Sequence, residues 1–294
     1  MTGFIEQVGG EVPEYCSELP PLPSMHYPLF ISVSPTLWGA LSPTPWFAAI
    51  ALNTVLAIIA WFAPKKLLTP AGLLHAWFLG VLVWGILGWQ GYAVVMFYFL
   101  VGSAVTRVGM AQKEAAGIAE KRSGARGPEN VWGSALTGAL CAVGVLLVYL
   151  TQPPQATWLV SLLVLGYVAS LSTKLADTCA SEIGKAYGQR TFLITTLQPV
   201  PRGTEGAVSL EGTLAGMVAS LAIALVGWGV GLIPLWQVGV CVVAAFVATN
   251  LESVIGATLQ NRFEWLTNEL VNVLNTLIGA IVAVAIVSLI HFSN

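Results

Sequence analysis

The sequence predicts an all-α, polytopic bundle of membrane-spanning helices, and three observations predict it. Of 294 residues, 56% are hydrophobic and 9% charged, with a mean hydropathy of +0.79; a soluble domain carries about 25% charged residues. The charges are gathered, leaving long intervals that hold none. Every lysine and arginine falls in alternate connections between apolar segments. Eleven Trp and 30 Gly suit such a chain, since Trp sits at the membrane interface and Gly lets helices approach closely. The net charge of −2 gives no reason to expect a nucleic-acid partner.

Residues 1–44 form an acidic, Pro-rich segment. Glu6, Glu11, Glu14 and Glu18 crowd its start, and no Lys or Arg precedes Lys65. Without a basic n-region it reads as neither a secretory signal nor an Arg-rich transit peptide. Residues 27–41 are apolar but interrupted by Pro28 and Pro35, so they read as an interfacial or re-entrant stretch rather than a span. The remainder, 45–294, reads as a single membrane-embedded domain.

Within it, residues 46–62 make the first span, closed by Pro64. The 40 residues 67–106, the 44 residues 130–173 and the 40 residues 212–251 are free of charge. A span needs about 20 apolar residues, so each interval is the length of a helical hairpin. Each also has a turn signal near its middle, at Gly88 and Gly91, at Pro153-Pro154, and at Gly231 to Pro234. A last span follows Glu269, which brings the count to about eight. All 12 basic residues then lie on one side. Lys and Arg mark the cytoplasmic side, so the N- and C-termini are expected on the non-cytoplasmic side and the polar chemistry on the cytoplasmic face.

That chemistry is concentrated in four places. In Lys174-Leu-Ala-Asp-Thr-Cys-Ala-Ser-Glu-Ile-Gly-Lys185, a continuing helix puts Asp177, Ser181 and Lys185 on one face with Thr178 and Glu182 beside them. Asp177 is the only aspartate, and a carboxylate at a membrane helix end is costly unless it meets a cation, a metal or water. A solvated helix end with a Lys174–Asp177 pair is the plainer alternative. The segment 198–213, rich in Gly, Ser and Thr, leads into a span; it can aim backbone N–H groups at an anion or simply turn and cap a helix at Ser209. It is not a Walker A loop, because no Gly-Lys-Ser/Thr stands at the required spacing. Arg107, Lys113 and Arg126 lie among glycines in 106–130, suited to phosphates or to ordinary positive-inside anchoring. Finally, Glu252-Ser253 is followed by Asn268, Asn272 and Asn275 at helical spacing beside Glu269, which reads as the wall of a hydrated site. His26, His75 and His291 lie outside these clusters, so no Ser-His-Asp triad is placed. Cys16, Cys141, Cys179 and Cys241 form no metal or redox motif.

Ala176-Asp-Thr-Cys-Ala-Ser-Glu-Ile-Gly184 followed by Leu193-Ile-Thr-Thr-Leu-Gln-Pro-Val-Pro-Arg-Gly-Thr-Glu-Gly-Ala-Val-Ser-Leu-Glu-Gly-Thr213 resembles the phytyl-phosphate kinase family, the integral membrane family labelled domain of unknown function 92. Gly124-Ala-Arg-Gly-Pro-Glu-Asn130, Glu252-Ser-Val-Ile-Gly-Ala-Thr-Leu-Gln260 and Asn272-Val-Leu-Asn-Thr276 are similar to its patterns, and the likeness covers residues 45–291. Two departures stand out, Cys179 where the family commonly has Trp, and Trp132-Gly133 at the start of a span. The resemblance implies phosphorylation of a prenyl monophosphate, typically phytyl phosphate, to the diphosphate. CTP is the expected nucleoside triphosphate donor, and the product feeds tocopherol and phylloquinone synthesis. With no transit peptide, a cyanobacterial member is expected, in the plasma or thylakoid membrane among membrane lipids.

On that reading Asp177, Glu182 and Lys185 are the expected catalytic residues, and Asp177, Glu182, Glu252 and Asn275 the expected Mg²⁺ set. Arg107, Lys113, Arg126, Ser181 and Arg202 are expected on phosphates, with Gly203, Thr204, Gly206, Ser209 and Thr213 in the triphosphate turn. A phosphate acceptor is already an oxyanion, so the task is to align two polyanions rather than to remove a proton. A prenyl-alcohol kinase, a CTP-dependent cytidylyltransferase acting on a lipid, and a transporter remain the alternatives.

Overall fold

Helices begin and end where the breakers stand. A computed structural model describes residues 43–64, 66–120, 124–260 and 262–293; the acidic N-terminal segment and its 27–41 stretch lie outside the described residues. In chain order the elements are α1 (Pro43–Phe62), α2 (Pro70–Thr106), the short α3 (Met110–Ala115), α4 (Pro128–Thr151) and α5 (Ala156–Tyr187). They are followed by the strands β1 (Thr191–Leu193) and β2 (Ala207–Ser209), then α6 (Leu210–Gly229), α7 (Leu235–Ile255) and α8 (Asn268–Ser293). The last turn of α7 widens into a π-helical segment, Gly256–Gln260. Thr69 caps α2, accepting from the Gly72 N–H at 3.0 Å, with Pro at the first helical position. Ser209 caps α6, accepting from the Gly212 N–H at 3.1 Å.

Among the described residues seven helices are long and apolar enough to cross a membrane, and one of them crosses twice. α2 holds 37 residues, which as a straight rod would run about 55 Å. Gly88 interrupts it with φ 67° and ψ −168°, a backbone conformation open to glycine alone. Beyond it the chain returns. The Arg107 guanidinium donates to the Lys66 carbonyl at 3.1 Å, so the two ends of α2 lie together, and Trp84 packs against Tyr92 across the turn. The eight passes expected from the charge-free intervals are therefore present, and the protein is an integral, multi-pass membrane protein.

α5 stands at the centre. In its most apolar window 78% of residues are buried inside the protein, against 11% for α1. It packs on α2, α4, α6, α7 and α8. Apolar burial contributes little between helices in lipid, so close approach and hydrogen bonds carry the association. On α6, Gly212 and Gly216 lie against the α5 carbonyls of Ala180 and Ala176; a Cβ at Gly212 would stand 2.5 Å from one and at Gly216 2.9 Å from the other. Tyr167 of α5 donates to the Gly91 carbonyl at 2.7 Å, and Thr137 of α4 pairs with Thr276 of α8 at 2.8 Å.

Candidate active site

α5 does not stop at the end of its apolar run but continues to Tyr187, carrying its polar face into a cavity of about 780 Å³. The strands β1 and β2, paired antiparallel with Thr191 opposite Ser209, strap the segment between them over this cavity. The start of α4, the ends of α5 and α7 and the starts of α6 and α8 complete the wall.

Asp177 is 8% exposed, so it is no solvated helix end. Lys174 holds it, Nζ to Oδ2, at 2.5 Å, and donates also to the Asn272 Oδ1 of α8 at 2.7 Å. Glu252, at the end of α7, brings its carboxyl within hydrogen-bonding reach of Asp177, with Lys174 beside both. Two carboxyl groups so close repel one another unless a cation or a shared proton intervenes, and here one ammonium faces the pair.

Glu182 lies about one and a half turns further along α5 and is 2% exposed. It is ion-paired to Lys113 of α3 and stands 3.6 Å from Lys185. Lys113, itself 1% exposed, also donates to the Thr106 carbonyl at 2.8 Å. Their mutual charge compensation is what allows both to be buried.

Arg126 is placed by its backbone. Its N–H donates to the Leu67 carbonyl at 2.9 Å and its carbonyl accepts from the Thr69 N–H at 3.0 Å, pinning the 124–127 strip to the base of α2. Its guanidinium donates to the Tyr98 hydroxyl at 2.6 Å and lies 5.2 Å from that ring's centroid.

The glycine-rich segment is a folded hairpin rather than an open row of donors. Thr204 donates through its N–H and its hydroxyl to the Pro201 carbonyl, at 3.3 and 2.8 Å, and accepts from the Ala207 N–H at 3.0 Å. Gly206, with φ 76°, presses against α7; a Cβ there would meet the Ser253 carbonyl at 2.6 Å.

Most of the residues expected from sequence meet in this cavity: Asp177, Ser181, Glu182, Lys185, Glu252, Arg126, Gly203, Thr204, Gly206, Ser209 and Thr213 all line it. Four do not line it. Arg107 spends its donors on the Ser103 and Lys66 carbonyls, Arg202 donates to the Ala186 carbonyl at the end of α5, and Lys113 is committed to Glu182. Asn275 is fully buried one turn below Asn272. Conversely, Lys174 is more than a neutralising neighbour of Asp177, because it ties α5 to α8. Tyr98 carried no signal in the sequence. It sits in an uninterrupted apolar run, and only the reversal at Gly88 returns it to Arg126. His75 accepts from Trp132 and His291 stacks on Trp158, both away from the cavity. Among the described residues no three of His, Cys, Asp or Glu gather closely enough to hold a metal ion by themselves.

Residues 53–280 match the integral membrane family DUF92. The chain belongs to that family. Its relatives include the uncharacterized membrane protein sll0875 of Synechocystis, 63% identical over 85% of this chain and 94% of the relative. Protein VTE6 of the Arabidopsis thaliana chloroplast is 46% identical over 83% of this chain and 72% of that protein. The membrane protein MJ0933 of Methanocaldococcus jannaschii is 29% identical over 82% and 93%. No solved structure gave a significant match. The family is the one that the Asp177 and Arg202 motifs resemble, and a cyanobacterial relative heads the agreement with the expected origin.

Proposed function

We propose that this DUF92 member is a prenyl-phosphate kinase. It transfers the terminal phosphoryl group of a nucleoside triphosphate, CTP by preference, to phytyl monophosphate in tocopherol and phylloquinone synthesis. The observation that carries the reading is a single cavity at the ends of membrane helices. Its wall carries a carboxylate pair, Asp177 and Glu252, with Lys174 against Asp177, and it carries Lys185 and Arg126 as well. A hydrolase triad would need a histidine there, and among the described residues none lines the cavity.

The phosphate of the lipid is already anionic near neutral pH. One of its oxygens attacks the terminal phosphorus of the nucleotide, a new P–O bond forms, the bond to the bridging oxygen breaks, and the nucleoside diphosphate leaves with that electron pair. The protein's work is alignment and neutralisation. Lys174 and Lys185 stand on the α5 face that the triphosphate would meet. The Ser209-capped start of α6, which lines the same cavity, adds the partial positive charge of a helix N-terminus. The donor set suits Mg²⁺: Asp177 and Glu252 are paired hard oxygen donors that would anchor the ion, though too few to complete a coordination sphere by themselves. When bound, such an ion supplies charge neutralisation across the transferred group. Glu182 is held by Lys113 and Lys185 instead, and its part is to fix Lys185.

The test is product analysis with purified protein, Mg²⁺, CTP and either phytyl monophosphate or phytol. Phytyl diphosphate with CDP from the monophosphate alone is the expected result. Product from phytol moves the step to the alcohol, release of pyrophosphate indicates a cytidylyltransferase, and no product from folded protein overturns the reading.

A further inference from the structure

A second pocket, about 130 Å³, lies between α1, the two halves of α2 and the start of α4. Apolar side chains make most of its wall, among them Leu56, Ala57, Ala76, Leu79 and Val95. It adjoins the polar cavity across a shared wall, because Tyr98, Arg126, Asn130 and Ser134 line both. Arg126 therefore stands where a wet chamber meets a dry one, fixed by Tyr98 and by its backbone ties to the base of α2. At the deep end Tyr92 donates to Asn53 at 3.0 Å and Asn53 donates to the Ala49 carbonyl at 2.9 Å. These two polar groups satisfy one another, and the pocket offers a hydrocarbon ligand apolar walls without an unmet donor at its floor.

We infer that this pocket receives the first isoprenoid units of the lipid acceptor, and that Arg126 binds the acceptor's own phosphate at the junction. The inference rests on the kinase reading above and deepens it. An amphiphile with an anionic head and an apolar chain needs a cation at a boundary and a dry channel behind it. A guanidinium held on an aromatic face at the shared wall meets that need, since it pairs with phosphate in a bidentate fork. The assignment divides the cations between the two substrates. Arg126 belongs to the lipid phosphate, while Lys174 and Lys185, which line the polar cavity but not the apolar pocket, belong to the nucleotide.

The experiment has two arms on the full-length protein in lipid nanodiscs. In the first, a prenyl monophosphate carrying a diazirine near the phosphate is photolysed without nucleotide and the labelled peptides are sequenced. Label on residues 53–60, 73–80 or 92–99 is expected; label confined to α6 or α7 overturns the proposal. In the second, Ala57→Phe and Ala76→Phe, both at half-buried positions, fill the pocket. The KM for phytyl monophosphate should rise about tenfold or more, the scale on which an apolar pocket discriminates chain bulk, with KM for CTP unchanged. Arg126→Gln should raise KM for the lipid while sparing KM for CTP. Unchanged lipid KM in both filled variants overturns the pocket. A wild-type protein that is labelled in the pocket yet yields no diphosphate overturns the kinase reading and leaves the lipid site standing.

Discussion

Lys174 and Asp177 lie one turn apart on α5 and are joined at 2.5 Å, and the same ammonium reaches Asn272 of α8 at 2.7 Å. One buried lysine therefore locks the chain's only aspartate and ties together two helices that both line the cavity. Glu252 of α7 completes the cluster, so three separate spans converge on one charged centre within a membrane protein, where charges are kept only with partners or for function.

Replacing Asp177 by Asn is expected to abolish turnover while expression stays near normal. The amide still accepts from Lys174, so the fall in unfolding temperature should be small, but a neutral oxygen no longer anchors a cation. Turnover in purified variant, beside its melting curve in detergent, checks this. Full activity would remove Asp177 from the catalytic centre.

Metal removal gives an independent measure of the same pair. Chelation should stop turnover and Mg²⁺ should restore it. Glu252→Gln should raise the Mg²⁺ concentration for half-maximal rate by about tenfold or more, the scale on which metal sites respond to loss of a supporting group. A titration of rate against Mg²⁺ in both proteins decides it, and an unchanged midpoint assigns Glu252 elsewhere.

Lys113 and Glu182 are both buried and ion-paired. Lys113→Met leaves a carboxylate without its nearest partner and should destabilise by about 3–5 kcal/mol. Adding Glu182→Leu should recover much of that stability but not activity, since Lys185 loses its anchor. Chemical unfolding of the three proteins measures the cycle. Wild-type stability in the single variant would show that the pair does not hold α3 to α5.

Arg202 and Lys185 should separate sharply. Arg202 donates one guanidinium N–H to the Ala186 carbonyl and does not line the cavity, so Arg202→Gln should act mainly on stability. Lys185 stands half-buried on the cavity wall, and Lys185→Met should raise KM for the nucleotide by about ten- to a hundredfold, the worth of a hydrogen bond to a charged group. Steady-state kinetics against CTP at fixed lipid reads both. Equal KM changes in the two variants would undo the distinction.

Gly206→Val combines an unfavourable positive φ with a collision against the Ser253 carbonyl, 2.6 Å from the position of the new Cβ. The hairpin should lift from α7, at a backbone cost of about 1–3 kcal/mol, with activity falling further than stability. Limited proteolysis within residues 194–206 reports the lifting directly; protection equal to wild type would count against it.

The sequence by itself determined the membrane class, the eight passes and the side on which the polar residues gather. Those properties are local sums. Twenty apolar residues must span, a charge must reach water or a partner, and Gly88, Pro153-Pro154 and the 231–234 turn break helices wherever the chain later packs. It also determined that Asp177, Ser181 and Lys185 share a face, because helical periodicity needs no partner. What the tertiary structure alone decided is which charges remain available for chemistry. Arg107, Arg126 and Arg202 look alike in the sequence, each basic and close to glycine, yet two are consumed by carbonyls and one is held on Tyr98 at the edge of both cavities. Tyr98 was invisible for the same reason: an apolar run carries no mark of the residue that a reversal ten positions earlier will bring to it. Pairing of Glu182 with Lys113, and of Lys174 with Asn272, depends on long-range contacts between helices, and the energy of a buried charge is set by those contacts rather than by its neighbours in the chain.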